Sequence, residues 1–265
     1  MIDGLAPGLV VGLCLVALTA GWIDSIVGGG GVIQLPALLV GLPADTVVAT
    51  VSGTNKLSSI AGAFAATTTY VRKVRIPWAT ALAAALAAYG GSTLGAMLIR
   101  FVPRVAFIPV IIVAVALVGL YTLRRPEMGQ AANLRHAGTP AHWVLAVTLG
   151  LACGVWDGLI GPGTGAFLTI GFVGLLGYGF LEATAMSRFT NLTTNAAALL
   201  VLGTSGHVLW AIGGCMAAAN LVGGLIGSHM AVARGNQFIR RVFLVAILIV
   251  EIKLVYDLIA LARTA

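Results

Sequence analysis

The sequence predicts an all-α polytopic membrane protein made of two four-segment repeats, and three observations carry that reading. First, 59% of its 265 residues are hydrophobic, only 9% are charged, and mean hydropathy is +1.04. A soluble domain carries roughly 25% charged residues, so this chain cannot coat a water-facing surface with charge. A soluble enzyme, a nucleic-acid-binding domain and a disordered chain are thereby excluded. Second, the apolar runs have spanning length, which is about 20 residues. Charge-poor runs occupy 4–44, 46–71, 76–99 and 105–123, and then 143–181, 183–206, 207–233 and 237–262. Third, the two sets of four repeat each other residue by residue. The chain therefore divides into a first membrane repeat at 1–123, a polar connecting loop at 124–142 and a second repeat at 143–265.

The repeat is most visible in the first segment of each half. Gly-Trp-Ile-Asp-Ser-Ile-Val-Gly-Gly-Gly-Gly at 21–31 matches Gly-Val-Trp-Asp-Gly-Leu-Ile-Gly-Pro-Gly-Thr at 154–164. Asp24 pairs with Asp157, and Gly28 with Gly161. Downstream, Trp78, Gly91 and Gly95 match Trp210, Gly223 and Gly227, and Leu120-Tyr121 matches Val255-Tyr256. Internal repeats of this kind are a hallmark of secondary transporters.

Pro7 to Leu42 and Trp143 to Tyr178 would each run about 54 Å as continuous helix, against a hydrocarbon core of ~30 Å. Each is interrupted near its middle, by Gly28, Gly29, Gly30 and Gly31 in one and by Gly161, Pro162, Gly163, Thr164 and Gly165 in the other. Glycine frees the backbone and proline removes a donor, so the helices break there. Broken backbone at membrane depth is tolerated only inside protein or against a water-filled cavity. Gly91 with Gly95 and Gly223 with Gly227 read instead as small-residue stripes for close helix packing.

Topology follows from the basic residues. If each broken segment returns to its own face as a hairpin, one face collects Arg72, Lys73, Arg75, Arg124, Arg125, Arg135, Arg234, Arg240 and Arg241. The other holds Arg100, Arg104 and Arg263. That bias of nine to three obeys the positive-inside rule and leaves the two halves inverted; full crossing by both broken segments gives seven to five. The net charge of +7 is thus mostly an orientation signal and implies no nucleic-acid partner. The N-terminus lacks a basic n-region and reads as a retained membrane segment. Cys14, Cys153 and Cys215 lie in apolar runs and read as small hydrophobes, and no cofactor, disulfide or metal motif is signalled. His207 and His229 fit no metal spacing, and the glycine runs lack the strand that a nucleotide loop needs.

A few polar residues remain inside the membrane, where each charge costs on the order of 2.5–3.5 kcal/mol and points to function. Lys56 follows Thr54 and Asn55; Arg188 precedes Asn191 and Asn195. Aligning Gly41 with Gly177 sets Asn55 opposite Asn191. A fixed cation beside amide and hydroxyl donors is what a small oxyanion needs once it sheds water. Half-helices restarting after the glycine breaks add N–H groups and positive dipole ends. The expected anion-binding set is therefore Lys56, Asn55, Thr54, Arg188, Asn191, Asn195, Gly28, Gly29, Gly30, Gly31, Gly161, Gly163 and Gly165. Asp24 and Asp157 are expected to carry protons, pair with the two cations, or cap the interrupted helices. Gln34 is a further cavity candidate, and Lys253, Asp257 and Glu251 read as ion pairing near a helix end.

These motifs, together with Thr54-Asn55-Lys56-Leu57 and Trp156-Asp157-Gly158, resemble the TauE/SafE family of membrane permeases, also called the sulfite exporter family. The resemblance runs from about residue 8 to 260. It implies a multi-pass carrier of the bacterial inner membrane for small sulfur-containing or organic anions such as sulfite, sulfonates, thiosulfate or sulfoacetate. It also implies coupling to an ion gradient, with H+ a candidate, and no enzymatic activity. The bilayer and the anion are then its partners. Two departures from exact repetition stand out: Arg188 precedes its asparagine where Lys56 follows, and Pro162 stands where Gly29 does. A passive anion channel and a non-transporting scaffold subunit are the competing readings, separated from a carrier by conductance and by absence of flux.

Overall fold

A computed structural model describes residues 4–43, 45–102, 132–134 and 136–264, the last nineteen by backbone alone. Among the described residues the fold is entirely helical. Helix α1 spans Pro7–Val27, α2 Gly30–Gly41, α3 Val48–Lys73 and α4 Trp78–Leu98, the last ending in a 3-10 turn at Ile99–Phe101. Helix α5 spans Pro140–Leu159, α6 Thr164–Gly174, α7 Phe180–Thr204 and α8 Trp210–Thr264. The expected span at 105–123, the Leu120-Tyr121 match, and Arg104, Arg124, Arg125, Glu127 and Arg135 lie outside the described residues, as do the side chains of Glu251, Lys253, Asp257 and Arg263.

Among the described residues, four stretches are long and apolar enough to cross a membrane: Pro7–Val27, Trp78–Phe101, Pro140–Leu159 and Trp210–Val245. Helices α3 and α7 have 26 and 25 residues but carry the polar ones, and they run through the middle. Helix α8 packs along α1 and α3, α4 along α5 and α7, and α3 against α7. The glycine stripes explain how closely the outer helices approach. Gly223 lies on Leu18 and Trp22 and Gly227 on Trp22 and Ser25, while Gly91 lies on Leu151 and Val155 and Gly95 on Val155 and Leu159. Without a Cβ the backbones meet directly, so van der Waals contact replaces the hydrophobic drive that lipid cannot supply. Outward faces of these helices are apolar, with Leu15, Leu86, Val144 and Ile226 exposed.

Both long first segments break where the glycines stand. Helix α1 ends with Gly28 in the left-handed region (φ 86°), its N–H on the Asp24 carbonyl. Helix α5 ends at Leu159, and Gly161 (φ 97°) and Gly163 (φ 85°) turn the chain into α6. Each half-helix then folds back. Gly30 meets Ala20 and Asp24, and Gly41 meets Leu9 and Leu13 near the start of α1. Phe167 packs edge-on to Trp156, ring centroids 5.3 Å apart, and Gly171 lies on Leu149. The apolar runs at 207–233 and 237–262, expected as separate segments, are two helical stretches that meet at a kink: Gly235 (φ 70°, ψ −162°) leaves the helical region there, a backbone conformation that L side chains rarely adopt.

Two ends of the bundle are distinct. At one, Ala49, Ala96, Ile99, Ala198 and Leu202 cluster, and Gly53 lies on His207. At the other, the Thr80 hydroxyl bonds His142 Nε2 (2.9 Å) and the Tyr178 hydroxyl (3.2 Å), and Asn236 Oδ1 accepts the Leu181 N–H (2.7 Å).

Candidate functional site

The two helix breaks cross each other in the middle of the molecule. The Ala166 N–H donates to the Gly28 carbonyl at 3.3 Å. A Cβ on Gly28 would run into the backbone of Gly165 and Ala166, and one on Gly165 would stand 2.7 Å from Gly28 Cα. Gly31 in turn faces Pro162, whose carbonyl accepts Trp156 Nε1 at 2.9 Å. Glycine is thus required here twice over, for positive φ and for backbone-to-backbone approach.

A small polar cavity opens beside this crossing. Helices α2 and α6 restart at its edge, and their N-terminal N–H groups and positive dipole ends suit an anion. Gly28, Gly31, Gly161, Gly163, Thr164 and Gly165 line it from the breaks. From α3 come Asn55, Lys56 and Ser59, from α7 Asn191 and Asn195, and from the helix ends Asp24 and Asp157. Eleven of the residues singled out in the sequence therefore meet at one cavity. Thr54, Gly29, Gly30, Gln34 and Arg188 are not among the lining residues, and each has a visible reason.

Thr54 points to one end of the bundle, where its hydroxyl donates to the Thr50 carbonyl (2.7 Å) and accepts the Leu209 N–H (3.0 Å). Gly29 is the residue before α2 and faces Ile23 and Val27. Gly30 gives its N–H to Asp24 Oδ1 at 3.2 Å. Gln34 is spent behind the cavity wall: its Nε2 donates to Asn55 Oδ1 (2.8 Å), and its Oε1 accepts Asn220 Nδ2 (2.8 Å). That chain fixes the Asn55 amide with its oxygen turned to Gln34, so the NH2 is the group it keeps for a ligand. On α7, Asn195 Nδ2 bonds both Oδ1 (3.1 Å) and the carbonyl (2.7 Å) of Asn191.

The charges pair across the halves. Lys56 Nζ stands 2.6 Å from Asp157 Oδ2, and Arg188 Nη1 stands 2.9 Å from Asp24 Oδ2. Each cation of a central helix thus takes the carboxylate of the other half's broken helix. The offset noted in the sequence explains how both pairs form. Lys56 is one residue after Asn55 and Arg188 three before Asn191. The two offsets differ by four positions, about one helical turn, which keeps both cations on the same face. Both aspartates partner the cations, and Asp24 also accepts the Gly30 N–H at the start of α2.

The two pairs differ in surroundings. Arg188 is fully buried, with Nη1 also on the Asp24 carbonyl (2.7 Å) and Nη2 on the Ser187 hydroxyl (3.0 Å). Its guanidinium lies against Gly28 and Gly165, so it staples the crossing of the two breaks. Lys56 is only 2% exposed but faces the cavity, and Asp157 is its one hydrogen-bonding partner among the described residues. A Cβ on Gly161 would sit 3.4 Å from Nζ, so glycine there leaves room beside the ammonium.

Sequence reasoning missed Ser59, Thr164, Asn220 and Ser187. Ser59 stands three residues after Lys56, on the same helix face, which is the signal that was available. Asn220 offered none, because its partner Gln34 is 186 positions away. Elsewhere, His229 Nδ1 bonds the Leu225 carbonyl at 2.8 Å, and the three cysteines are free.

The model of the sulfite exporter TauE/SafE family matches residues 13–254. A probable membrane transporter protein, ORF9, of Sinorhizobium sp is 37% identical over 257 residues, covering 96% of this chain and 95% of its own. The probable membrane transporter protein YfcA of Escherichia coli K12 is 32% identical over 253 residues, 95% of this chain and 91% of its own. A probable membrane transporter protein of Haemophilus influenzae is 30% identical over 246 residues, 92% and 94%. No solved structure matches the chain.

Proposed function

The chain belongs to the sulfite exporter TauE/SafE family, and from that premise we propose that it is a secondary transporter of small oxyanions in the bacterial inner membrane. The single observation that carries this is the cavity at the crossed breaks. It is polar, lies between two half-helix N-termini, and has the ammonium of Lys56 in its wall. Sulfur oxyanions and sulfonates suit such a site: they offer several acceptor oxygens to N–H and ammonium donors and need no metal or cofactor. Lys56, Asn55, Asn191, Asn195, Ser59 and the glycine N–H groups are the contacts proposed for the anion.

Alternating access comes from two inverted four-segment repeats rocking about this site. Several packings support the repeat. Helix α1 lies along α8 as α5 lies along α4, both through glycine stripes, and the two ion pairs exchange partners between halves. The inversion is supported by where the hairpins open. Leu5, Leu42 and Val51 cluster with Ile212 at one end, whereas His142 and Tyr178, flanking the second hairpin, meet Thr80 at the other. Arg72, Lys73 and Arg75 lie at the C-terminal end of α3, and Arg234, Arg240 and Arg241 lie around the bend of α8, on that second side, which is then cytoplasmic.

Proteoliposomes containing the purified chain test the proposal with labelled sulfite, thiosulfate and methanesulfonate. A carrier gives saturable uptake and counterflow of at least one of these anions. A channel gives conductance without counterflow, and a scaffold gives neither.

A further inference from the structure

The cavity already contains an oxyanion: the carboxylate of Asp157 on Lys56. Resting on the permease reading above, we propose that Asp157 is the resident occupant of the anion site. The incoming anion displaces it from Lys56, and Asp157 takes up one proton as it lets go, so each anion crosses with one proton.

The argument is one of charge. Lys56 and Asp157 are both about 2% exposed, so little water is present to screen an added charge. An anion arriving at the ammonium puts two negative groups against one positive one. Two like charges at a shared site raise the proton affinity of the one that can titrate. A sulfonate is a far weaker base than a carboxylate, so of the two anions the carboxylate is the one that takes the proton. The step balances: Lys56 ammonium with Asp157 carboxylate, plus a monoanion and a proton, becomes ammonium with monoanion and a neutral carboxylic acid. No net charge enters the cavity. With a dianion, one negative charge enters.

Other groups around Asp157 leave this role to it. Lys56 reaches it from α3 and is the group in contact. Asp24 lines the same cavity from the end of α1, but its carboxylate is held by Arg188 and the Gly30 N–H. Arg188 on α7 is bound to Asp24 and Ser187, and releasing it would undo the crossing of the breaks. Glu182 lies in the first turn of α7, six residues before Arg188. Cys153 is one turn earlier on α5, α4 brings only the exposed Tyr89, and α6 brings no titratable group. Lysine also suits the exchange, being a compact charge with three donors on a flexible stem, whereas the arginine fork is fixed by several bonds at once.

The test uses the full chain in proteoliposomes with a trapped pH dye and an external pulse of methanesulfonate, a fixed monoanion that cannot itself carry a proton. The expected result is one proton entering per anion, with uptake accelerated by an inward proton gradient and indifferent to a clamped membrane potential. Asp157→Asn is expected to lose proton entry altogether whatever its residual anion rate, and Asp157→Glu to restore the ratio of one. Should Asp157→Asn fail to fold, the wild-type ratio and potential dependence decide alone. Methanesulfonate entering wild-type vesicles without protons overturns the proposal and leaves the permease reading standing. So does an Asp157→Asn protein that still carries one proton per anion. If none of methanesulfonate, thiosulfate or sulfite enters, the permease reading falls and this proposal with it.

Discussion

Lys56 and Asp157, 101 positions apart in the chain, share a 2.6 Å ion pair in the centre of the molecule. Arg188 and Asp24, 164 positions apart, form its counterpart at 2.9 Å. Among the described residues, both ion pairs run between the halves. Each aspartate before a helix break is matched by the cation of the opposite central helix, so the two halves are held together at the depth where an unpaired charge is costliest.

Removing one partner strands the other. Lys56→Met leaves Asp157 buried and unpaired, a loss on the order of 3–5 kcal/mol for a broken buried pair. The double change Lys56→Met with Asp157→Leu is expected to recover most of that stability, because an apolar replacement of the whole pair is often neutral. Thermal unfolding in detergent of the two single variants and the double checks this, with non-additivity as the signature.

Arg188→Lys is expected to destabilise markedly although the charge is kept. A lysine cannot reproduce the fork that reaches the Asp24 carbonyl, the Asp24 carboxylate and the Ser187 hydroxyl together. Each charged hydrogen bond lost costs about 1.5–3 kcal/mol. A melting temperature for this variant close to wild type would contradict the staple role.

Neighbouring glycines at the first break are expected to behave oppositely. Gly28→Ala places a methyl against the backbone of Gly165 and Ala166 at a positive φ and is expected to prevent assembly of the crossing. Gly29→Ala meets nothing nearer than Ile23 Cγ2 at 3.7 Å and has φ −109°, so it is expected to fold. Monodispersity on size exclusion separates the two.

A similar contrast holds on α4. Gly90 has open space where a Cβ would go, and Gly90→Ala is expected to stabilise the helix by about 0.5–1 kcal/mol. Gly91→Ala forces a methyl onto the Leu151 carbonyl and the Val155 N–H of α5 and is expected to cost about 1–3 kcal/mol. Detergent melting temperatures compare them.

Much of this was legible in the residues because the membrane restricts what the chain can do. Four consecutive glycines in an apolar run longer than a bilayer require a broken helix, and α1 and α2 part at Gly28. Charges placed in such runs narrow the site to a few residues, and Lys56, Asp24 and Asp157 do meet at one cavity. The exchange of partners between halves was not legible. Sequence alignment pairs Asp24 with Asp157 as equivalents and says nothing of which cation each one faces. Nor was the division of labour between Lys56 and Arg188, which depends on burial: one faces the cavity and the other is sealed beneath the crossing. Gln34 was expected to line the cavity, but Asn220 draws its amide oxygen away from it.

The central claim is that the Lys56 ammonium binds the transported anion, and the folded double variant tests it most directly. Uptake of labelled thiosulfate, sulfite and methanesulfonate is compared in proteoliposomes of wild type and of Lys56→Met with Asp157→Leu, both verified as monodisperse. Losing a buried charge-assisted contact to an oxyanion is expected to lower uptake by about ten-fold or more, to the level of protein-free vesicles. A folded double variant that takes up the anion at the wild-type rate would contradict the account.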